Sequence, residues 1–267
     1  MMEKPFRIIH AKSSEVPIIL SVPHCGAAFP GEISKQYKSE LSQSPDDTDW
    51  FVDTLYDFVP TMGITMIAAH YSRWVIDLNR DPFNKPLYTD GRIITALCPT
   101  TTFAGEPIYQ DERKEVGPEE VQRRLDLYYH PYHNKIAGLI EECKHKFGKV
   151  LLWDCHSIRQ FVPTVHTAKF PDLILGDADS TSASPGLIET ALSALDHSNY
   201  SVNHNYPFKG GYITRHFGKP IENQHALQLE MTKVNYMDDE EKQYNPERAE
   251  AMRELLKKVF EKLIEQL

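Results

Sequence analysis

The sequence contains few cysteines and no long hydrophobic run, and both features narrow its class. Its 267 residues include four cysteines, and no two of them form a CxxC pair. This usage is typical of free thiols in a reducing cytoplasm rather than of a disulfide framework. No apolar run approaches the roughly 18 residues that a membrane helix needs. The N-terminal residues also lack the apolar region of a signal peptide, so we expect a cytoplasmic protein that does not enter a membrane.

Positive charge is also scarce. Lysine and arginine number 29 against 38 aspartates and glutamates, which gives a formal net charge of −9. This balance argues against nonspecific binding to nucleic acid or to an anionic membrane surface. The GxxxxGK[ST] and GxGxxG patterns of nucleotide-binding loops are missing as well. A small anionic substrate remains compatible with the composition, because the local charges of a pocket decide what it binds.

The apolar segments that are present predict buried strands. Hydrophobic residues make up 41% of the chain, which is typical of a globular protein with a sizeable core. Short β-branched runs bounded by turn formers are typical of strands buried on both faces. These runs span residues 17–24, 64–71, 73–79, 149–156, 172–177 and 225–232.

Helical patterns separate these runs and begin at Pro118, after Ser184, and at Pro246 with Asn245 as the N-cap. The first extends to about residue 147, and we expect a break near Pro131 because proline cannot donate to a helix interior. Strands that alternate with helices predict a sheet covered on both faces. We therefore expect a three-layer α/β/α fold in a single domain over residues 1–267.

Polar side chains at the strand ends predict the position of a site. His24, the pair Asn79-Arg80 and His156 each follow an apolar run, and ligand sites of α/β sheets lie at the carboxyl ends of strands. A histidine there is either a metal ligand or general base, or a residue that caps a turn. Asp154 lies two residues before His156 and should share its face, where it could orient the imidazole.

A cluster of carboxylates precedes a predicted short amphipathic helix. Asp46, Asp47 and Asp49 repel one another unless a cation or a helix N-terminus relieves them, so they either cap the helix or bind a cation. Together, His24, Asp49 and His156 would form the two-histidine, one-carboxylate set of a catalytic zinc site, with Asp47 as the alternative acidic ligand. Another divalent cation could replace zinc.

Glu230 is a candidate general base. It lies within the apolar run HALQLEMT, where a carboxylate is costly unless it has a partner or a role. The alternative is that strand alternation places Glu230 and Gln228 together on a solvated face.

Basic residues could bind an anionic substrate. Arg73 is the first residue of the run RWVIDLN and Arg80 follows it, while Lys209 and Arg215 lie on either side of Gly210-Gly211. Arginine binds carboxylates in a bidentate manner, and paired glycines let a backbone approach a ligand closely. Alternatively, each of these residues is a surface cation in an ordinary ion pair.

Six motifs in order, over residues 17 to about 240, resemble the N-formylglutamate amidohydrolase family; they are SVPHCG, PDDTDW, SRWVIDLNRDP, LLWDCHSIR, PFKGGYITRHFG and QLEMTKVNYMD. The resemblance implies kinship with zinc carboxypeptidases and aspartoacylases, a mixed central sheet, and hydrolysis of N-formyl-L-glutamate to formate and L-glutamate in histidine degradation.

The resemblance also implies roles for individual residues. The superfamily takes two zinc ligands from a His-x-x-Glu pair, but Ala27 follows His24 at that spacing, so we expect Asp49 to supply the acidic ligand. His156 would be the later histidine ligand and Glu230 the base that activates water. Asn79-Arg80 would hold one substrate carboxylate. Arg73 or Arg215 would hold the other, with Lys209 in reserve.

Two other functions remain open at this stage. The chain could deacylate another N-acyl acidic amino acid on the same fold, or it could be a non-catalytic relative that binds a metal or ligand. A cysteine nucleophile at Cys25 or Cys155 is disfavoured, because neighbours along a strand face opposite sides and each adjoins a candidate histidine ligand. The sequence indicates no oligomeric state.

Overall fold

The computed structural model describes residues 4–87 and 95–267. Its strands are β1 (Phe6–Ile9), β2 (Ile18–Val22), β3 (Thr65–Ala69), β4 (Val150–Ile158), β5 (Leu173–Gly176), β6 (Val202–His204) and β7 (Gln224–Thr232). Its α-helices are α1 (Gly31–Ser34), α2 (Ser39–Ser42), α3 (Val52–Leu55), α4 (Pro118–Arg124), α5 (His130–Phe147), α6 (Pro185–Asp196), α7 (Tyr212–Phe217) and α8 (Pro246–Gln266). A π-helix spans Leu125–Tyr129, and 3₁₀ turns span Val59–Met62, Pro220–Glu222 and Lys233–Asn235.

The strands form one mixed sheet in the order β1-β3-β2-β4-β7-β5-β6. The four consecutive strands β3, β2, β4 and β7 are parallel, whereas β1 is antiparallel to β3 and β5 is antiparallel to β7. Strands β2, β4 and β7 are buried along their whole length. Such strands are typical of a sheet covered by helices on both faces, and they confirm the expected mixed α/β sheet.

Hydrophobic clusters lie on both faces of this sheet. On one face, Trp153 and Leu229 belong to a cluster that includes buried residues of α6 and α8. On the other face, Leu152 and Ile67 belong to a cluster with residues of α5 and α7. Because successive residues of a strand point to opposite faces, β4 contributes to both clusters. The three-layer prediction is therefore confirmed.

The predicted strand at residues 73–79 is wrong, because these residues form turns. The Asp77 carboxylate accepts a hydrogen bond from the backbone N–H of Asn79 at 2.9 Å, a local bond that competes with a strand ladder. The apolar residues of the run are buried nonetheless. The sequence prediction also omitted β1 and β6, which are short, and neither has a fully buried residue.

The predicted break near Pro131 is also wrong. The chain stays helical from Pro118 to Phe147, and the π-helix Leu125–Tyr129 directly precedes α5. A π turn changes the local pairing, so Pro131 lies near the start of α5, where its missing N–H costs little. The Asn245 cap of α8 is confirmed, since its side chain accepts from the Arg248 N–H. Among the helices of the described ranges, none is long and apolar enough to cross a membrane.

Candidate active site

The candidate site lies at the carboxyl ends of three neighbouring parallel strands. His24 follows β2, His156 lies in β4, and Glu230 lies opposite His156 in the register of β4 and β7. Asp49 comes from the turn before α3, and its backbone N–H donates to the carbonyl oxygen of His24 at 3.0 Å. The fold thus brings together four residues that are far apart in the sequence.

His24, Asp49 and His156 form a buried cluster that could hold a metal ion. One ligand atom from each residue lies within 4.8 Å of the other two. Oδ2 of Asp49 lies 3.7 Å from Nδ1 of His24 and 3.1 Å from Nδ1 of His156. Nδ1 of His24 is buried and has no hydrogen-bond partner. A buried polar atom without a partner is costly, and a cation bound to this lone pair would remove that cost.

Two further carboxylates orient the imidazoles. Nε2 of His24 lies 2.8 Å from Oδ1 of Asp77, and Nε2 of His156 lies 3.0 Å from Oδ2 of Asp154. A hydrogen on Nε2 that is donated to a carboxylate leaves Nδ1 to face Asp49 in both rings. Histidine ligands of metals generally have such an outer carboxylate, which fixes the tautomer and increases the basicity of the ligand.

Burial and neighbouring charges shift the pKa of all three residues of the cluster. Burial disfavours the cationic form of His24 and, with the nearby Arg73 guanidinium, lowers its pKa. Burial would do the same to His156, but Asp154 and Asp49 outweigh it and raise its pKa well above 6.5. Burial opposes ionisation of Asp49, yet the His156 hydrogen bond and the charges around it keep the pKa of Asp49 lowered. Near pH 7 these shifts favour the neutral form of His24 and the cationic form of His156.

Asp46 and Asp47 lie outside the cluster. Asp47 accepts hydrogen bonds from Nε1 of Trp74 at 2.8 Å and from the backbone N–H of Phe103. Asp46 forms an ion pair with Arg159. The helix that follows is only four residues long and has no side-chain cap, so helix capping does not account for the aspartates.

Glu230 is buried on the wall of a pocket that also includes His24 and His156. Gln228 is buried beside it, which excludes a solvated face for the pair. Burial raises the pKa of Glu230 to about 8. The Gln228 amide donates to Glu230 at 3.3 Å, while its oxygen accepts from the backbone N–H of Gly211 at 2.7 Å.

Asn79 lines the pocket and links β4 to α7. Its Nδ2 donates to Asp154 at 3.2 Å and its Oδ1 accepts from the backbone N–H of Ile213 at 2.8 Å. A Cβ on Gly211 would come within 2.3 Å of the Asn79 amide. Gly211 is therefore needed for close packing against Asn79, and its N–H is used by Gln228.

Two of the four candidate basic residues line the pocket. Arg73 pairs with Asp77 at 2.7 Å, and Arg80 lies 3.8 Å from the same carboxylate. The pocket has a volume of about 90 Å³ and includes both arginines. Lys209, paired with Asp179 at 2.9 Å, and Arg215, bonded to the Gly210 carbonyl at 2.9 Å, lie outside its lining.

The thiols beside the histidines are poor nucleophile candidates. Burial raises the pKa of both Cys25 and Cys155, which disfavours the thiolate. Three residues of the site were not predicted from the sequence: Asp77 bonds His24, and Phe103 and Ile158 line the pocket. Asp77 could have been predicted, because it is the single charged residue in the apolar run VIDL and a buried charge needs partners.

Residues 16–237 match the model of the N-formylglutamate amidohydrolase family. The chain is 38% identical over 261 residues to an N-formylglutamate deformylase of Pseudomonas aeruginosa, covering 96% of each chain. It is 36% identical to an enzyme of the same name from Pseudomonas putida, covering 97% of this chain and 96% of the relative.

Solved structures agree with these matches. The crystal structure of an N-formylglutamate amidohydrolase from Ralstonia eutropha JMP134 is similar, with a TM-score of 0.82, 28% identity and 97% coverage of both chains. An Agrobacterium tumefaciens protein shares the fold, with a TM-score of 0.73, 18% identity and coverage of 97% of this chain and 96% of that one. From the match to the family model and the two Pseudomonas relatives, the chain belongs to the N-formylglutamate amidohydrolase family.

Proposed function

We propose that this protein hydrolyses N-formyl-L-glutamate to formate and L-glutamate at the His24, Asp49 and His156 cluster, with a bound divalent cation, preferably zinc. The observation that carries the metal proposal is the buried, unpartnered Nδ1 of His24, which faces a carboxylate and a second imidazole. Two imidazoles and one carboxylate suit zinc and leave room for water and substrate. The names of the Pseudomonas relatives support the substrate.

The metal would act as a Lewis acid that polarises the formyl carbonyl and favours ionisation of the attacking water. Glu230 has the position and the raised pKa of a general base, since it is buried on the wall that also holds His24 and His156. It takes a proton from the attacking water and passes it to the departing amine nitrogen. Gln228 holds the Glu230 carboxylate in place through its amide.

Arg73 and Arg80 would bind the two carboxylates of the substrate. Both line the pocket, and they share Asp77 as an anionic neighbour. A substrate with an uncharged side chain would leave one of these guanidinium groups without a substrate carboxylate, and a site built for a polar group rejects analogues that lack it. We propose that Asn79 acts as a positioning residue, because its amide bonds Asp154 and the backbone of α7. Lys209 and Arg215 would contribute little.

The test is formate release from N-formyl-L-glutamate by wild-type protein, by chelated protein, and by chelated protein with zinc restored. We expect release that chelation abolishes and zinc restores. Glu230→Gln should keep its zinc content and lose activity by about 100-fold or more, because general-base catalysis contributes about 10²–10⁴-fold. Lys209→Gln is the matched control for mutagenesis and should retain activity.

The outcomes separate the parts of the proposal. No formate release from fully metallated wild-type protein would refute the substrate. Formate release that survives complete chelation would refute the metal. A Glu230→Gln variant with wild-type activity would refute the assignment of the base.

A further inference from the structure

The candidate active-site pocket shares a wall with a second cavity. The pocket measures about 90 Å³ and its neighbour about 160 Å³. Phe103, Ser157 and Ile158 line both spaces. The side chains of Phe103 and Ile158 are the large apolar parts of this shared wall, so they separate a small reaction space from a larger one.

Ile158 is placed at this wall by the register of β4. It lies two residues after His156, so both side chains point to the same face of the strand. Ile158 is buried in a small cluster with Val162, Phe170 and Ile174. A β-branched side chain in a strand has few rotamers, and these contacts restrict it further. Ile158 therefore cannot swing aside easily to enlarge the pocket.

Phe103 is also held in place. Its backbone N–H donates to the buried Asp47 carboxylate at 3.1 Å, and its carbonyl accepts from the Thr164 hydroxyl. The Arg73 guanidinium lies 4.7 Å from the centre of its ring. The phenyl ring thus lies between a cation that we assign to the substrate carboxylates and the space behind the wall.

We propose that Ile158 and Phe103 determine acyl-group specificity by closing the pocket beyond the formyl carbon. This inference rests on the proposed function. The reacting carbon must lie close to the His24, Asp49 and His156 cluster and to Glu230. With the carboxylates of the substrate on Arg73 and Arg80, the remaining substituent on that carbon would face Ile158, whose side chain shares a face of β4 with His156. A hydrogen fits there, whereas the methyl of an acetyl group needs additional room, which the second cavity behind Ile158 would provide.

The wall can be opened selectively. Ile158→Ala removes part of the partition and connects the pocket to the cavity of about 160 Å³. Val165→Ala is the matched control, because Val165 is an aliphatic residue of the active-site pocket that does not line the second cavity. Both variants shorten an apolar side chain, but only one merges the two spaces.

The experiment measures kcat/KM for N-formyl-L-glutamate and N-acetyl-L-glutamate by release of L-glutamate, which reports both reactions. We expect Ile158→Ala to raise the ratio of acetyl to formyl activity by about tenfold or more, since one methylene in a pocket changes selectivity by about 10–200-fold. Val165→Ala should leave the ratio within about threefold of wild type. Phe103→Leu should raise the ratio less than Ile158→Ala does.

An unchanged ratio in a folded Ile158→Ala variant, or an equal rise in Val165→Ala, would overturn the inference. If Ile158→Ala does not fold, Ile158→Val decides in its place: a rise of about threefold supports the inference and no rise overturns it. The proposed function fails separately, because in that case wild-type protein would release no formate from N-formyl-L-glutamate.

Discussion

Replacement of Asp154 by asparagine tests whether the outer carboxylates tune the metal site. Oδ2 of Asp154 accepts from Nε2 of His156 at 3.0 Å and from Nδ2 of Asn79 at 3.2 Å. Its other oxygen is buried without a hydrogen-bond partner. Asparagine has nearly the same shape and can present its oxygen to both donors. The substitution therefore removes the negative charge and changes little else.

The expected effect is a loss of about 10- to 100-fold in zinc affinity, as for other partners of metal-bound histidines, which corresponds to about 1.4–2.7 kcal/mol. The loss should depend on pH. A proton and a metal ion compete for Nδ1 of His156, and Asp154 favours both, since it raises the pKa of His156. Without the charge of Asp154 the proton also binds His156 more weakly. The difference in zinc affinity between the variant and wild type should therefore be smaller at pH 6 than at pH 9.

Competition with a chromophoric zinc chelator measures this affinity without substrate. Asp177→Asn is the matched control, because Asp177 is also fully buried and lies 2.8 Å from Nε2 of a histidine, His204. That pair is not part of the metal cluster. Asp177→Asn should destabilise the protein, yet its zinc affinity should equal that of the wild type.

Equal zinc affinity in Asp154→Asn and wild type at pH 9 would contradict this reasoning, because a carboxylate that orients His156 must change the affinity of that histidine for zinc. An equal loss in Asp177→Asn would show that the effect is a general consequence of destabilisation.

Three further predictions concern protons, substrate charge and stability. Zinc binding near pH 7 should release at least one proton, since the metal displaces the proton of His156 and its charge favours ionisation of Glu230, whose pKa is about 8. Calorimetry in buffers of different ionisation enthalpy measures the number of protons released. Arg80→Met should raise KM for N-formyl-L-glutamate by about 10- to 100-fold, as expected for a lost charged hydrogen bond, whereas steady-state kinetics of Lys209→Met should match wild type. Burial lowers the pKa of His133 to about 3, so stability should decline as the pH falls from about 6.5 towards 3, by about 2 kcal/mol at pH 5. In urea titrations, His133→Phe should lack this part of the pH dependence. It should also lose about 1–3 kcal/mol of unfolding free energy at pH 8, because the Leu78 carbonyl loses its donor. An unchanged slope of unfolding free energy against pH would exclude His133 as the source of this dependence.

The fold class could be predicted from the sequence because it depends on local patterns, above all on short apolar runs. The apolar runs at β2, β4 and β7 exceed what solvent-exposed segments contain, and strands of this type are buried on both faces. The run at residues 73–79 carries the same signal, yet it forms turns. Its Asp77 is bonded to Arg73, His24 and the Asn79 backbone, and periodicity does not reveal such tertiary partners.

The candidate site was predictable only in part. His24 follows one buried strand and His156 lies in another. Their proximity at one edge of the sheet could be predicted, because the carboxyl ends of parallel strands lie at the same edge. The choice between Asp47 and Asp49 depends on where a turn directs two carboxylates, and only the structure assigns Asp47 to Trp74 and Phe103. The position of Ile158 between the two cavities could not be predicted either, because an isoleucine at the end of a strand is typical of an ordinary hydrophobic core.

The charges of the buried cluster indicate how its parts depend on one another. Asp49, Asp77 and Asp154 are buried, and two guanidinium groups lie near Asp77, that of Arg73 at 2.7 Å and that of Arg80 at 3.8 Å. The proton of His156 compensates the third negative charge. A divalent cation that displaces this proton would therefore add one positive charge to the cluster. That charge would favour the ionised form of Glu230, whose pKa burial raises to about 8, and a general base must be ionised to accept a proton. A monovalent ion at the same position would only replace the charge of the proton.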